Sequence, residues 1–300
     1  MVPRVAGGSG VTLHHPTTMH DPHGPLYSVV CTDTNPYGTW QTEFLEHTWV
    51  RSQMPGELIR LVGTPNGEEP PAHRTARVIT TAATNTHPRL TSDYTGLNRL
   101  HSLSEWLENE RPVGTVLILD CDFAFRAPLD RHALPEHPIG QLWWDVRWDG
   151  RWLELAESIT SGIGGSLQQV TWPLIIHTSD LRRIIDRWVE LTARIRAETN
   201  AWESDMFALP IVLAEYELHC ELDMLAAWMP WPDDVVGDAP IIHYCQPVLD
   251  HDGETLWYKQ QYTPWEPTGA DTDEVALDYC GELLTMLDRY AALRRLTGDR

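Results

Sequence analysis

The sequence lacks any apolar run close to the roughly 20 residues that span a membrane. Its first 25 residues also lack the apolar segment of a secretory signal peptide and are rich in Gly, Ser, His, Pro and Thr. We therefore expect a cytoplasmic protein with no membrane partner. Residues 1–25 are predicted to form a flexible tail, followed by a single domain over 26–300.

Cysteine and lysine are both scarce. The five cysteines are odd in number, widely spaced and free of any C-x-x-C pair, so neither a disulfide framework nor a zinc ribbon is indicated. Lys259 is the only lysine among 22 basic residues, against 43 acidic ones, and the formal net charge is −21. This charge argues against nucleic acid as the main partner, because phosphate backbones require clustered Lys and Arg.

Tryptophan, in contrast, is abundant, with 14 in the chain. Several form pairs or near-pairs, such as Trp143 and Trp144, or Trp228 and Trp231. Aromatic rings stack on the apolar faces of sugars, so a carbohydrate-binding cleft is one interpretation. The alternative is that most of these rings pack in the core and at its rim.

The first half of the sequence alternates between strand and helix patterns. Apolar, β-branched runs predict strands, and residues at helical spacing follow several of them. The alternation predicts an α/β fold with a mostly parallel central sheet and helices on both faces. Ligands of such sheets lie outside the carboxyl ends of the strands. The predicted strands are 26–32, 57–63, 76–82 and 115–119. One predicted helix begins at Asn35-Pro36, and a second covers 94–108.

The second half predicts further strands and three helices. Thr178, Ser179 and Asp180 are N-cap candidates for an amphipathic helix that follows a strand. Pro210 is expected to kink or break the next helix. Asp271, with Glu274 three residues later, predicts the start of a C-terminal helix.

The segment "TVLILDCDF" at 115–123 ends a buried strand with two acids. If the chain stays extended, Asp120 and Asp122 share one side, about 5 to 7 Å apart, while Cys121 faces away. Two such carboxylates repel unless a cation lies between them, and Mg²⁺ or Mn²⁺ prefers oxygen ligands. Many enzymes bind the diphosphate of a nucleotide-activated sugar in this way. The alternative is a loop with solvated or capping acids.

Two later segments add to this hypothesis. "IIHY" at 241–244 predicts a buried strand ending at His243, which is a candidate third metal ligand. Lys259 follows shortly after, where a loop folded over the donor would bring it to a phosphate. Glu203 and Asp205 form a second acidic pair, which either lies under the reactive sugar or decorates a helix N-terminus.

Five blocks of the sequence resemble, in the same order, blocks of the peptidyl hydroxyproline O-arabinosyltransferases. Their motifs W-Q, M-P-G, L-N-R, acid-x-Asp and I-I-H-Y are specific jointly rather than singly, and the similarity covers residues 27–262 in blocks rather than continuously. The blocks are "TDTNPYGTWQTEFLEHTWVRSQMPGELIRLV", "YTGLNRLHSLSEWLE", "VLILDCDFAFRAPLD", "WESDMFALPIVLAEYEL" and "PIIHYCQP".

The resemblance implies a GT-A type nucleotide-sugar transferase fold, a divalent metal such as Mn²⁺ or Mg²⁺, and a UDP-sugar donor. That donor is UDP-β-L-arabinofuranose in the plant members. It also implies transfer with retention of anomeric configuration. The nucleotide-binding half is then expected over 26–135, the acceptor half and metal-binding end over 136–270, and the C-terminal helix over 271–300.

Mapped onto this chain, the resemblance assigns Asp120, Asp122 and His243 to the metal, with Asp120 also at the donor. The other implied residues are Thr32 and Asp33 at the nucleoside, Asn98 and Arg99 at the donor, and Glu203 and Asp205 as catalytic candidates at the sugar or acceptor.

Three departures separate this chain from the plant enzymes. Asp-Cys-Asp replaces Glu-Pro-Asp, the membrane anchor of the Golgi enzymes is not found, and residues 145–172 match poorly. We therefore expect a soluble relative whose acceptor is a hydroxyl group on a peptide, with hydroxyproline as one candidate, or on a small molecule.

Two other functions stay open. A sugar nucleotidyltransferase also uses strand-end acids, but the first strand is not followed by a Gly-rich phosphate loop. A catalytically silent carbohydrate-binding or scaffolding protein would use the tryptophans as its contact surface. The acids and His243 speak against that reading.

Overall fold

The structure is a computed structural model that describes residues 24–64, 67–68, 70, 75–143, 148–160 and 166–297. The predicted tail at 1–25 falls almost entirely outside the described residues. The larger elements are strands β1 (Leu26–Asp33), β2 (Glu57–Gly63), β3 (Arg77–Thr81), β4 (Thr115–Leu119), β5 (Phe123–Phe125), β6 (Ile139–Leu142), β7 (Val170–His177) and β8 (Glu221–Asp223), and helices α1 (Pro36–Arg51), α2 (Gly96–Glu110), α3 (Gly150–Ile159), α4 (Thr178–Thr199) and α5 (Ser204–Glu215).

The last third of the chain contains shorter elements and a long final helix. They are β9 (Ala226–Trp228), α6 (Asp233–Val236), β10 (Ile241–His243), β11 (Val248–Leu249), β12 (Thr255–Trp257), a short 3-10 helix (Thr272–Glu274) and α7 (Asp278–Thr297). Among the described residues, no helix combines the length and the hydropathy needed to cross a membrane.

A seven-stranded sheet in the order β3-β2-β1-β4-β7-β6-β8 forms the centre of the molecule. Strands β3, β2, β1 and β4 are parallel, as the alternation of strands and helices predicts. Strand β7 is antiparallel to both of its neighbours, so the sheet is mixed. The fold is therefore α/β, with the parallel half built by the first 119 residues.

Helices cover both faces of this sheet because the chain reverses its direction across it. The β1-α1-β2 unit moves toward one edge, whereas the β3-α2-β4 unit moves back toward the other. Right-handed crossovers then put α1 and α2 on opposite faces. Consistent with this, α2 packs against α4 and α5, while α1 packs against β5 and α7.

A second, three-stranded sheet in the order β5-β10-β9 lies at the carboxyl end of β4. The chain leaves β4, makes a turn at residues 120–122 and enters β5 directly. Strand β10 runs antiparallel to β5, with His243 opposite Phe123. This register brings His243 to the turn that contains Asp120 and Asp122.

Several local predictions are corrected by the structure. Residues 120–122 form a turn rather than an extended segment, since β4 ends at Leu119. Helix α4 has His177 as its N-cap, whose side chain accepts from the Ser179 amide at 3.2 Å, instead of a cap among residues 178–180. Pro210 lies inside α5 and does not end it. Asp271 caps the short 3-10 helix, and the C-terminal α-helix begins only at Asp278.

The start of α1 is confirmed. Asn35 is the N-cap, its side-chain oxygen accepts from the Tyr37 amide at 2.9 Å, and Pro36 occupies the first helical position. Proline is suited to this position because its missing N–H would have no partner within the helix. This cap fixes the chain directly after β1, at the carboxyl edge of the sheet.

Candidate functional site

Asp120, Asp122 and His243 meet at the carboxyl end of β4. Each offers one ligand atom, and these atoms all lie within 4.8 Å of one another. Asp122 and His243 are buried, and Asp120 is half-buried. The cluster forms because the turn after β4 carries both acids and the antiparallel β10 ends beside it. The sequence prediction that these three residues come together is therefore matched by the geometry.

Asp122 is surrounded by positive groups. Its carboxylate accepts from the Lys259 ammonium and lies 3.3 Å from His243 Nε2. Burial by itself would raise the pKa of Asp122, but Lys259 and then His243 hold that pKa far below its usual range. Burial also opposes protonation of His243, yet Cys245 and Asp122 raise its pKa to about 9. The buried carboxylate is thus kept ionised by its neighbours.

Arg99 joins Asp120 to Asp205. Its guanidinium forms an ion pair with Asp120 and places Nη1 3.1 Å from Asp205 Oδ2. The same group lies over the ring of Trp172, 4.6 Å from its centroid. Arginine can contact two carboxylates at once because its planar head presents several fixed N–H donors. Arg99 was expected at the donor, and here it connects Asp120 of the candidate metal cluster with Asp205.

Asp205 is buried and firmly held, whereas Glu203 is exposed. Tyr94 lies with its hydroxyl 2.7 Å from Asp205 Oδ1, and the Trp188 indole donates to the Asp205 carbonyl at 3.0 Å. Glu203 is the N-cap of α5 but makes no side-chain capping bond. The two acids, predicted as a pair, therefore separate: Asp205 belongs to the network of Arg99, and Glu203 faces solvent at its rim.

A cavity of about 500 Å³ lies beside the end of β1, lined by Asp33, Gly63, Asn85 and Asn98, among others. The Asn98 amide donates to the Thr32 carbonyl at 3.1 Å, which ties α2 to the end of β1. The Thr32 side chain is buried and accepts from Arg60 Nε at 3.0 Å. Asp33, predicted at the nucleoside, and Asn98, predicted at the donor, thus line the same cavity, while the Thr32 hydroxyl is engaged by the buried Arg60.

Sequence reasoning missed three residues of the site and considered a fourth, Trp228, only as a member of a tryptophan pair. Tyr94 and Trp172 fix Asp205 and Arg99, and Trp228 packs edge-on against His243 with ring centroids 4.6 Å apart. Asn85 lines the cavity, and its side-chain oxygen is buried without a partner among the described residues. Tyr94 could have been predicted from the sequence because it is the first residue of the L-N-R block, whereas the other three belong to none of the five motifs.

The donor set at the end of β4 suits a divalent cation. The two carboxylates supply oxygen ligands, which both Mg²⁺ and Mn²⁺ prefer, and the imidazole supplies a nitrogen ligand, which Mn²⁺ also accepts. His243 presents Nε2 to the carboxylates, 3.3 Å from Asp122 Oδ1. The residues present therefore fit such an ion.

Burial raises the pKa of the intervening Cys121 thiol to about 12, with Asp122 adding to the effect.

Comparison with known proteins identifies relatives of this chain. Residues 27–222 match the model of the hydroxyproline O-arabinosyltransferase family N-terminal domain. The chain is also similar to the peptidyl serine alpha-galactosyltransferase of Arabidopsis thaliana, with 26% identity over 197 residues. This similarity covers 60% of the chain and 23% of the relative, so the chain spans less than a quarter of that protein's length.

The family match covers about two thirds of the sequence and includes Arg99, Asp120, Asp122 and Asp205. His243 and Lys259 lie beyond it and join the same cluster through the fold. The chain belongs to the hydroxyproline O-arabinosyltransferase family.

Proposed function

We propose that this protein is a metal-dependent, retaining glycosyltransferase with a GT-A type fold. It would transfer a sugar from a UDP-sugar to a hydroxyl group. The observation that carries the proposal is the meeting of Asp120, Asp122 and His243 within 4.8 Å at the carboxyl end of β4. That edge is where open α/β sheets bind their ligands. The family match supports the reaction class.

In this proposal, Asp120, Asp122 and His243 hold Mn²⁺ or Mg²⁺, which offsets the negative charge that develops on the leaving diphosphate. The nucleoside occupies the cavity beside β1, where Asp33, Asn85 and Asn98 present polar atoms. A carboxylate such as Asp33 is suited to accept from ribose hydroxyls, as acids do in other nucleotide-binding α/β folds. Lys259 and Arg99 supply the positive charge around the diphosphate.

Asp205 is the catalytic candidate that the geometry favours over Glu203. It is buried, paired with Arg99 and oriented by Tyr94, so its position is fixed before substrate binds. Glu203, exposed at the start of α5, would contact the acceptor instead. Retention of configuration follows from the family resemblance alone.

The relatives name two sugars and two peptide acceptors. One is described as acting on hydroxyproline with arabinose, the other on peptidyl serine with galactose. We propose a hydroxyl group on a peptide as the acceptor, and a pentose or hexose as the transferred sugar, with L-arabinofuranose among the candidates. A small hydroxylated molecule is the alternative acceptor.

Metal-dependent binding of UDP tests the centre of the proposal. UDP should bind in the presence of Mn²⁺, measured by calorimetry. Binding should weaken by at least roughly 10- to 100-fold when a metal ligand is removed, because loss of a residue that only orients a ligand already has an effect of that size. Asp122→Ala leaves Lys259 and His243 without their carboxylate, so Asp120→Asn is the second variant, since Arg99 keeps Asp205 as a partner. Glu108→Gln, an exposed acid on α2, is the matched control. Equal UDP binding with and without Mn²⁺ would contradict the proposal.

A donor panel separates the remaining functions. UDP release from one UDP-sugar, with water as a slow acceptor, would identify both enzyme and donor. A nucleotidyltransferase would release pyrophosphate from UTP and a sugar phosphate instead, and a silent carbohydrate-binding protein would release neither. Absence of UDP release from every UDP-pentose and UDP-hexose would count against a glycosyltransferase.

A further inference from the structure

Each of the two acids in the metal-ligand cluster already has a cation from the protein. Asp120 forms an ion pair with Arg99, and Asp122 forms one with Lys259. All four groups are largely withdrawn from water, with 10% to 19% of each side chain exposed. Two protein cations therefore supply the same positive charge that one divalent ion would bring.

The two cations are held very differently. Arg99 contacts Asp205 as well as Asp120, and its guanidinium stacks on Trp172. Lys259 lies in the loop after β12 and donates to Asp122. A lysine ammonium is a point charge on a flexible four-carbon stem, so it can move by rotamer changes alone. Of the two cations, Lys259 is therefore the one that can leave its carboxylate with the smaller rearrangement of the site.

We propose that Lys259 is an exchangeable counter-ion: a divalent metal displaces it from Asp122, and it then pairs with the diphosphate of the donor. The inference rests on the proposed function and adds to it the coupling between the two ligands. In the absence of metal and donor, Lys259 pairs with Asp122 and neutralises its charge. With both bound, the same ammonium contributes to holding the donor.

The physical reason is a balance of charges in a space with little water. A metal bound to Asp122 repels the nearby ammonium and leaves it half-buried without its partner, which is unfavourable. The diphosphate removes this penalty because it gives the ammonium a new anionic partner. Metal alone should therefore bind weakly, and metal with UDP strongly. By linkage, each ligand must strengthen the other by the same factor.

The single lysine of the sequence makes this exchange directly measurable. Brief acetylation of the full chain, followed by mass spectrometry of the peptide containing Lys259, reports how accessible its amine is. The N-terminal amine in the same sample controls for reagent strength. We expect slow acetylation without ligands, a severalfold faster reaction with Mn²⁺ alone, and renewed protection with Mn²⁺ and UDP together.

Substitution of Lys259 provides an independent test. In Lys259→Gln, Mn²⁺ alone should bind about tenfold more tightly than in the wild type, because its competitor is gone, and added UDP should strengthen Mn²⁺ binding less. Lys259→Arg keeps the charge and should keep the coupling. Electron paramagnetic resonance of free Mn²⁺ measures both affinities without any turnover, and thermal unfolding checks that each variant folds.

The outcomes separate this inference from the proposed function. If Mn²⁺ and UDP bind but Lys259 stays equally protected in all three states, the exchange is wrong and the glycosyltransferase proposal stands. Unchanged Mn²⁺ affinity in a folded Lys259→Gln would overturn the exchange as well. If UDP does not bind in the presence of Mn²⁺, the proposed function itself fails, and the exchange fails with it.

Discussion

Arg99 illustrates how one side chain can link two parts of a site. Its contacts to Asp120 and Asp205 connect the turn after β4 with the start of α5, although these two acids are 85 residues apart in the chain. An arginine in this place pairs with both carboxylates and fixes their positions at once. A lysine would satisfy one of them, so the L-N-R block depends on the identity of its third residue.

Tyr94 is predicted to stabilise the protein through Asp205. Tyr94→Phe removes a buried hydroxyl that lies 2.7 Å from the Asp205 carboxylate and 2.6 Å from the Trp202 carbonyl. We expect the free energy of unfolding to fall by about 1.5–3 kcal/mol, the usual value for a hydrogen bond to a charged group. Urea denaturation measures the change. Tyr37→Phe is the control, because Tyr37 is 40% exposed, and an equal effect of both substitutions would contradict the role of Tyr94.

The packing of β2 against α2 is predicted to be intolerant of a single added methyl group. A Cβ on Gly63 would lie 2.3 Å from Asn98 Oδ1, so Asn98 would have to leave the Thr32 carbonyl. We expect Gly63→Ala to destabilise the fold by about 1–3 kcal/mol and to weaken UDP binding.

Gly38 in α1 provides the matched comparison. A Cβ there meets Asp33 Oδ1 only at 3.9 Å, an ordinary contact. Gly38→Ala should therefore stabilise the helix by about 0.5–1 kcal/mol. Denaturation curves and calorimetry with UDP and Mn²⁺ measure both variants. A fully tolerated Gly63→Ala would show that the close approach of Asn98 is not required.

The contact between α1 and α7 is predicted to weaken in acid. His47 of α1 stacks on Tyr290 of α7, with ring centroids 4.3 Å apart. Burial, and secondarily Arg51, lowers the pKa of His47. The unfolded chain therefore binds a proton more readily, and this contribution to stability is present above pH ~6.5 and is lost as the pH falls toward the lowered pKa.

His47→Phe keeps an aromatic ring against Tyr290 and removes the titrating group. We expect a shallower loss of stability between about pH 7.5 and 5.5 than in the wild type. Urea denaturation at a series of pH values gives the slope for each protein. Identical slopes would show that His47 does not titrate differently in the folded and unfolded chain.

The charge of the entire chain leads to a prediction about salt. With 43 acidic and 22 basic residues, the formal net charge is −21, and compaction brings these charges together. Raising NaCl from about 0.01 to 0.15 M shortens the Debye length from about 30 to about 8 Å. We expect Tm to rise by a few degrees over this range. A fall in Tm would show that the ion pairs of the surface outweigh the net repulsion.

The α/β class, the parallel half of the sheet and the cap of α1 could be predicted from the sequence because each depends on local patterns. Apolar runs predict buried strands, and Asn35-Pro36 satisfies the backbone at a helix start without help from distant residues. The reversal of β7 and the start of α7 at Asp278 could not be predicted in this way. They depend on which strand edge and which core surface are left for the chain to fill.

The sequence by itself determined the chemistry of the site: two acids after a buried strand, a histidine ending another, and one lysine. Only the tertiary structure decided which of these groups meet, because strand register acts between residues far apart in the chain. The antiparallel pairing of β10 with β5 brings His243 to Asp122. The fold also places Asp205 against Arg99 and leaves Glu203 exposed to solvent. The sequence does not predict which of two acids in neighbouring positions is buried.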